Sequence, residues 1–223
     1  LRDCQLYSIR KNFPREVSGG QRQKLALAKA LINEPELILL DEPFSNLDTE
    51  LRLRMRELIQ DVQRQTGTTM LFVTHDQVEA LSISRRICLL LGGVVRQTGS
   101  PKELFYRPAD SDVAAFFGCN NLIAGAIKDN CFASEYLNLR VNLKDCDRCF
   151  ATIRPEDIIL SPVELQESTP AEVLDIRFEG STSRITVITG GQTFTVLTRR
   201  LKYHAGQNVW LQFPLKRLHF IRK

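Results

Sequence analysis

Two adjacent carboxylates, Asp41 and Glu42, close the apolar run Leu37-Ile38-Leu39-Leu40. At the end of a buried strand such a pair divides labour well. One carboxylate, Asp41, is suited to hold a hydrated Mg²⁺, and the other, Glu42, to polarise an attacking water. A histidine, His75, follows a second apolar run, Met70 to Val73. Its imidazole is placed to touch a phosphate or that water. Upstream, Ser18-Gly19-Gly20-Gln21 enters a helix-forming stretch. Glycines without a Cβ let backbone N–H groups approach an anion, and a helix N-terminus adds unpaired donors and the positive end of a dipole. Between these lies Ser45-Asn46-Leu47-Asp48, in which Asp48 is also a natural helix cap.

The elements that must position these groups are legible from periodicity. Gln21 to Asn33 is rich in helix formers, with Pro35 beyond it. Glu36–Asp41 and Thr68–Asp76 are short apolar runs that predict parallel strands buried on both faces. Asp48 to Gly67 is an amphipathic helix with Leu51, Met55, Leu58, Ile59 and Val62 on one stripe. A further helix begins at Gln77. Ile87 to Gly99 is a hairpin turning on Gly92-Gly93, and Ser100-Pro101-Lys102-Glu103 is a capping box. Strand and helix alternation predicts an α/β unit with a parallel sheet. From about Asn121 helical periodicity fades into short β-rich runs separated by Gly180, Gly190-Gly191 and Gly206, the pattern of a small all-β barrel.

Composition narrows the class. In 223 residues, 43% are apolar and 25% charged, as in ordinary globular domains. A net charge of +4 spread along the chain gives no nucleic-acid footprint. The apolar runs are shorter than the ~20 residues of a membrane span. Six cysteines at irregular spacing fit no disulfide framework, so the cytosol is the expected compartment. Cys146-Asp-Arg-Cys149 is a lone CxxC, two ligands short of a zinc site.

The ordered set SGGQ, LILLDE, SNLD and VTHD resembles the ATPase subunits of ABC transporters. The resemblance covers almost the whole chain. It implies a partial P-loop NTPase-like α/β domain over residues 1–118 (a parallel sheet with helices) and an OB-like transport-associated β domain over 119–223. The motif Ile153 to Leu160 (IRPEDIIL) is similar to a recurrent stretch of that β module. The resemblance assigns the signature motif to Val17–Gln21, Walker B to Leu37–Asp41, the catalytic glutamate to Glu42, the D-loop to Ser45–Asp48 and the switch histidine to His75. It further implies ATP and Mg²⁺ as ligands, with Asp41 holding Mg²⁺ through water. Ser18, Gly19, Gly20 and Gln21 would act in trans on the ATP of a second ATPase subunit. Permease subunits, and indirectly a solute-binding protein, would be partners at the cytoplasmic face of the cell membrane.

Three departures stand out. Val17 replaces the signature's usual leucine, and Arg85 stands where an acidic residue is usual. None of the twelve glycines is followed by lysine, so the phosphate-cradling GxxxxGK[ST] loop is missing. The chain therefore reads as the C-terminal part of a longer subunit and is expected to be inactive alone. "FFGCNNLIAG" followed by "IRPEDIILS" looks closest to molybdate, tungstate or sulfate uptake. Iron(III), polyamine and sugar importers remain alternatives. So do a regulatory or solute-sensing module and a gene remnant.

Overall fold

The computed structural model describes residues 6–45, 47–135, 137–199 and 202–222. Cys4 and Asn46 of the Ser45–Asp48 motif lie outside the described residues. The chain divides by packing into two compact units, Leu1–Arg85 and Arg86–Lys223.

In the first unit, α1 (Gly19–Leu31), β1 (Leu37–Asp41), α2 (Thr49–Thr66), β2 (Thr69–Val73) and α3 (Gln77–Ile83) follow in order. Side-chain caps start all three helices: Ser18, Asp48 and Asp76 each accept from an N–H of the first turn. Gly67 ends α2 in the left-handed conformation, φ 68°, that a residue with a Cβ avoids. The expected stripe of α2 is its core face. Met55, Leu58, Ile59 and Val62 are buried among Leu6, Leu27, Phe44 and Leu47. Each such side chain contributes about 1.5–3 kcal/mol by leaving water.

β1 and β2 pair in parallel, from Leu37 opposite Thr69 to Asp41 opposite Val73. The expectation of strands buried on both faces is corrected here. Ile38 is 5% exposed, whereas Leu39 and Leu71 on the other face are 68% and 56% exposed. The core of helices α1 and α2 takes up one side of the pair, with Leu40, Met70 and Phe72 packed against it, and Leu37, Leu39, Leu71 and Val73 stay exposed on the other.

The second unit begins with the hairpin β3 (Ile87–Leu91) and β4 (Val94–Gly99). Gly92 and Gly93 both have positive φ, 59° and 77°, which matches the right-handed twist of the paired strands. Two short helices follow, α4 (Pro101–Tyr106) and α5 (Ser111–Phe116). The β-rich remainder comprises β5 (Asn121–Lys128), β6 (Cys131–Ala133), β7 (Asn138–Arg140), β8 (Cys146–Ile153), β9 (Ile159–Ser161), β10 (Ser168–Phe178), β11 (Ser183–Thr189), β12 (Gln192–Thr198), β13 (Asn208–Gln212) and β14 (His219–Arg222). They form two five-stranded antiparallel sheets, β12-β11-β10-β13-β9 and β14-β8-β5-β6-β7. Among the described residues these are two hydrogen-bonded sheets rather than one closed ladder. They share one core, in which Ile123, Ile127, Ala151 and Ile153 of one sheet meet Val173, Ile185, Val187 and Leu211 of the other.

Arg154 of the IRPEDIIL stretch is a structural plug. It is only 5% exposed, and its guanidinium donates to the carbonyls of Phe105 and Phe117 while stacking 3.6 Å over the Phe105 ring. Among the described residues no helix is long and apolar enough to cross a membrane.

Candidate functional site

The parallel register of β1 and β2 brings their C-terminal ends to one edge. Glu42, one residue past β1, has φ 42°, in the left-handed region that glycine adopts freely and a residue with a Cβ adopts at a cost, as Glu34 and Glu167 also do here. Its surroundings over-determine this conformation. The Glu42 N–H donates to the Val73 carbonyl at 2.8 Å. Its own carbonyl accepts from the Ser45 N–H at 3.2 Å and the Ser45 hydroxyl at 3.0 Å. Carboxylate oxygen Oε1 lies 2.8 Å from Nδ1 of His75. Backbone strain held in place at a strand end points to function.

The contact works on both partners. The Glu42 carboxylate, by hydrogen bond and by charge, raises the His75 pKa above the ordinary imidazole range, with smaller help from Glu79 and Asp76. The charged pair is therefore fully present below that range and is lost as pH rises through the raised value. Oε2 of Glu42 has no partner among the described residues. His75 thus orients one oxygen and leaves the other to solvent.

The β2 exit is anchored by Thr74 and Asp76 of the VTHD motif together with Glu79, Arg52 and Arg56, which sequence reasoning passed over. The Thr74 hydroxyl donates to Oε2 of buried Glu79 at 2.6 Å and accepts from the Asp76 N–H at 3.0 Å. Glu79 is 5% exposed and lies near two guanidinium groups, 3.6 Å from Arg56 and 3.9 Å from Arg52. Arg52 also reaches Asp76 at 3.7 Å and donates to the Leu47 carbonyl at 3.2 Å. These contacts tie α2 to the start of α3 and so fix the backbone that carries His75. The available signal was the Asp76–Glu79 spacing, an N-cap followed three residues later by glutamate.

Ser18–Gln21 forms a reciprocal capping box. The Ser18 hydroxyl accepts from the Gln21 N–H at 3.3 Å, and the Gln21 side chain accepts from the Ser18 N–H at 2.8 Å. Gly19 and Gly20 are the first helical residues and neither has positive φ. Their value is therefore space. A Cβ on Gly20 would lie 2.5 Å from Leu51 Cδ2, so Gly20 lets α1 approach α2 closely, whereas Gly19 opens onto free space. Asp48 caps α2 through the Leu51 N–H at 2.8 Å. The structure thus gathers Ser18, Gly20 and Asp48 at the joined N-termini of α1 and α2, and Glu42 with His75 at the strand ends. Among the described residues, no hydrogen bond links the two groups.

Asp41 is exposed, and its side chain has no ion pair or hydrogen bond among the described residues. No group of three or more His, Cys, Asp or Glu among the described residues could cage a metal. The donor set fits a hard cation held by one carboxylate, water and phosphate oxygens, the manner in which Mg²⁺ is bound beside nucleotides.

An α/β unit with a carboxylate–imidazole pair at its strand ends is thus followed in sequence by an antiparallel β unit. A family profile described as "ABC transporter" matches residues 1–45, and one described as "TOBE domain" matches residues 151–221. The uncharacterized ABC transporter ATP-binding protein YcjV of Escherichia coli O6:H1 is 36% identical over 94% of this chain and 62% of its own length. The sn-glycerol-3-phosphate import ATP-binding protein UgpC of the same organism is 36% identical over 98% of this chain and 64% of its own length. The chain is a homologue of these ABC transporter ATP-binding proteins, one of them named for import, and itself matches a C-terminal TOBE domain. It spans less than two thirds of the length of these relatives.

Proposed function

We propose that this chain is the C-terminal part of an ATP-hydrolysing subunit that energises solute import. Residues 1–118 would be part of a P-loop NTPase-like domain and residues 119–223 an OB-like transport-associated module. The observation that carries this reading is Glu42, held in left-handed backbone and bonded through Oε1 to His75. A water in line with a γ-phosphate would lose its proton to the free Oε2 of Glu42. His75 would keep the carboxylate aimed and, as imidazolium, offer positive charge to the developing phosphoryl group. Mg²⁺ bound with the nucleotide would supply neutralisation of phosphate charge, and Asp41 would hold its water shell.

Ser18, Gly19, Gly20 and Gln21 would close over the γ-phosphate of a second ATPase subunit. Open space at Gly19 and the N-terminal donors of α1 support that role. Asp48, on the same helix junction, would transmit closure between subunits. The assembly would sit with permease subunits at the cytoplasmic face of the membrane and be fed by a solute-binding protein. No glycine–lysine step occurs in the sequence, so the chain by itself lacks the loop that grips nucleotide and would not turn over ATP. Mg-dependent turnover by the purified 223-residue chain that disappears on Glu42→Gln would sink that part of the proposal.

The relatives give no support to an oxyanion cargo. One of them is named for sn-glycerol-3-phosphate import, and a sugar-type cargo is compatible with our reading. A second reading, solute sensing by the C-terminal unit, draws on an open groove lined by Glu172, Thr189, Asn208 and Trp210. Calorimetry of the chain with candidate sugars and oxyanions tests it. Heat that vanishes on Trp210→Ala favours sensing, and silence removes it.

A further inference from the structure

The pair Cys146 and Cys149 plays no part in the nucleotide chemistry. Residues three apart in a regular strand face opposite sides. In β8 a bulge changes this: Gly125 lies opposite Cys149 and Ile127 opposite Cys146, so two steps of β5 span three of β8. Ile127 faces the core, and a Cβ on Gly125 would meet the core ring of Phe132 at 2.6 Å. Both cysteines therefore share the core face, Cys149 buried in it and half-buried Cys146 packed against it. The Cys146 thiol donates to the Arg148 carbonyl at 3.1 Å, in the peptide group that leads into Cys149. The Cys149 thiol donates to the Gly125 carbonyl at 3.5 Å.

We infer that Cys146 and Cys149 are a reversible dithiol that closes to an internal disulfide on meeting a small disulfide such as oxidised glutathione. Half-buried Cys146 is the thiol that solvent reaches. Its thiolate attacks one sulfur of glutathione disulfide, that S–S bond breaks, and one glutathione thiolate leaves. Cys149 then gives up its proton, attacks the Cys146 sulfur and expels the second glutathione. The protein loses two thiol protons and an electron pair, and glutathione disulfide takes up the pair as two thiols. Burial and the neighbouring Cys146 hold the Cys149 thiol above its ordinary range. Arg222, directly opposite in β14, favours its thiolate.

The test treats the chain with graded oxidised glutathione and maps thiols by alkylation and peptide mass, with exposed Cys88 as internal control. The expected result is a Cys146–Cys149 bridge, reversed by a dithiol reductant, with no lasting glutathione on Cys146. In Cys149→Ser the glutathione adduct on Cys146 should instead persist. Should that variant fold poorly, Cys146→Ser at the half-buried position should leave Cys149 unmodified while Cys88 reacts. A stable adduct on Cys146 of the unaltered chain would overturn the inference. So would a bridge to Cys131, or two unmodified thiols where Cys88 has reacted.

Discussion

Replacing Glu42 with glycine should stabilise the first unit while removing the group that matters most to it. Glu42 sits at φ 42°, where a residue with a Cβ costs about 1–2 kcal/mol relative to glycine. Glycine brings extra freedom to the unfolded chain, a penalty of about 0.5–1 kcal/mol. The lost contact with His75 subtracts little, because both side chains are well exposed, 45% and 79%. The backbone anchors, Glu42 N–H to Val73 and Ser45 to the Glu42 carbonyl, survive in glycine. The net expectation is a gain of up to about 1.5 kcal/mol, centred on about 0.75, the difference between those two terms. Glu42→Ala is the control, since it deletes the carboxylate and keeps the Cβ. Urea unfolding followed by helical circular dichroism, most of which comes from α1 to α3, should rank the glycine variant above the alanine variant. Alanine equal to or more stable than glycine would refute the claim that Glu42 is strained.

Other expectations follow from the same geometry. Gly20→Ala places a methyl 2.5 Å from Leu51 and should destabilise by about 1–3 kcal/mol, with Leu51→Ala restoring part of the loss in the same urea assay. Gly19→Ala meets nothing and should gain a fraction of the ~0.5–1 kcal/mol helix benefit. The His75 pKa, followed by NMR, should fall toward the ordinary imidazole value in Glu42→Gln, and an unchanged titration would mean the pair is absent in solution. Arg154→Leu leaves two carbonyls without their charged donor and should lower stability of the second unit by about 2–6 kcal/mol, read from the Trp210 fluorescence transition.

Local chemistry made the helices legible. Ser18, Asp48, Asp76 and Ser100 cap within three residues of themselves, so nearest-neighbour spacing fixes where each helix starts. The Gly92-Gly93 turn is equally local. Pairing across 33 residues is not, and the 2.8 Å Glu42–His75 contact depends on a parallel register that no short window encodes. Nor does composition reveal φ at Glu42, since the residue type argues against it. The strands read as buried on both faces because apolar runs record which residues tolerate burial, and the exposed Leu39 and Leu71 need a second layer that the described residues do not supply. The arginine in IRPEDIIL was visible as part of a motif, but its burial beneath Phe105 emerges only in three dimensions.

The central claim is that Glu42 takes the proton of the attacking water. It is tested most directly by Mg-dependent ATP hydrolysis in the longer subunit to which we assign this chain, comparing Glu42 with Glu42→Gln at matched ATP binding. Loss of turnover by about 10²–10⁴-fold with nucleotide affinity intact is the predicted result. Undiminished turnover in the glutamine variant would contradict it.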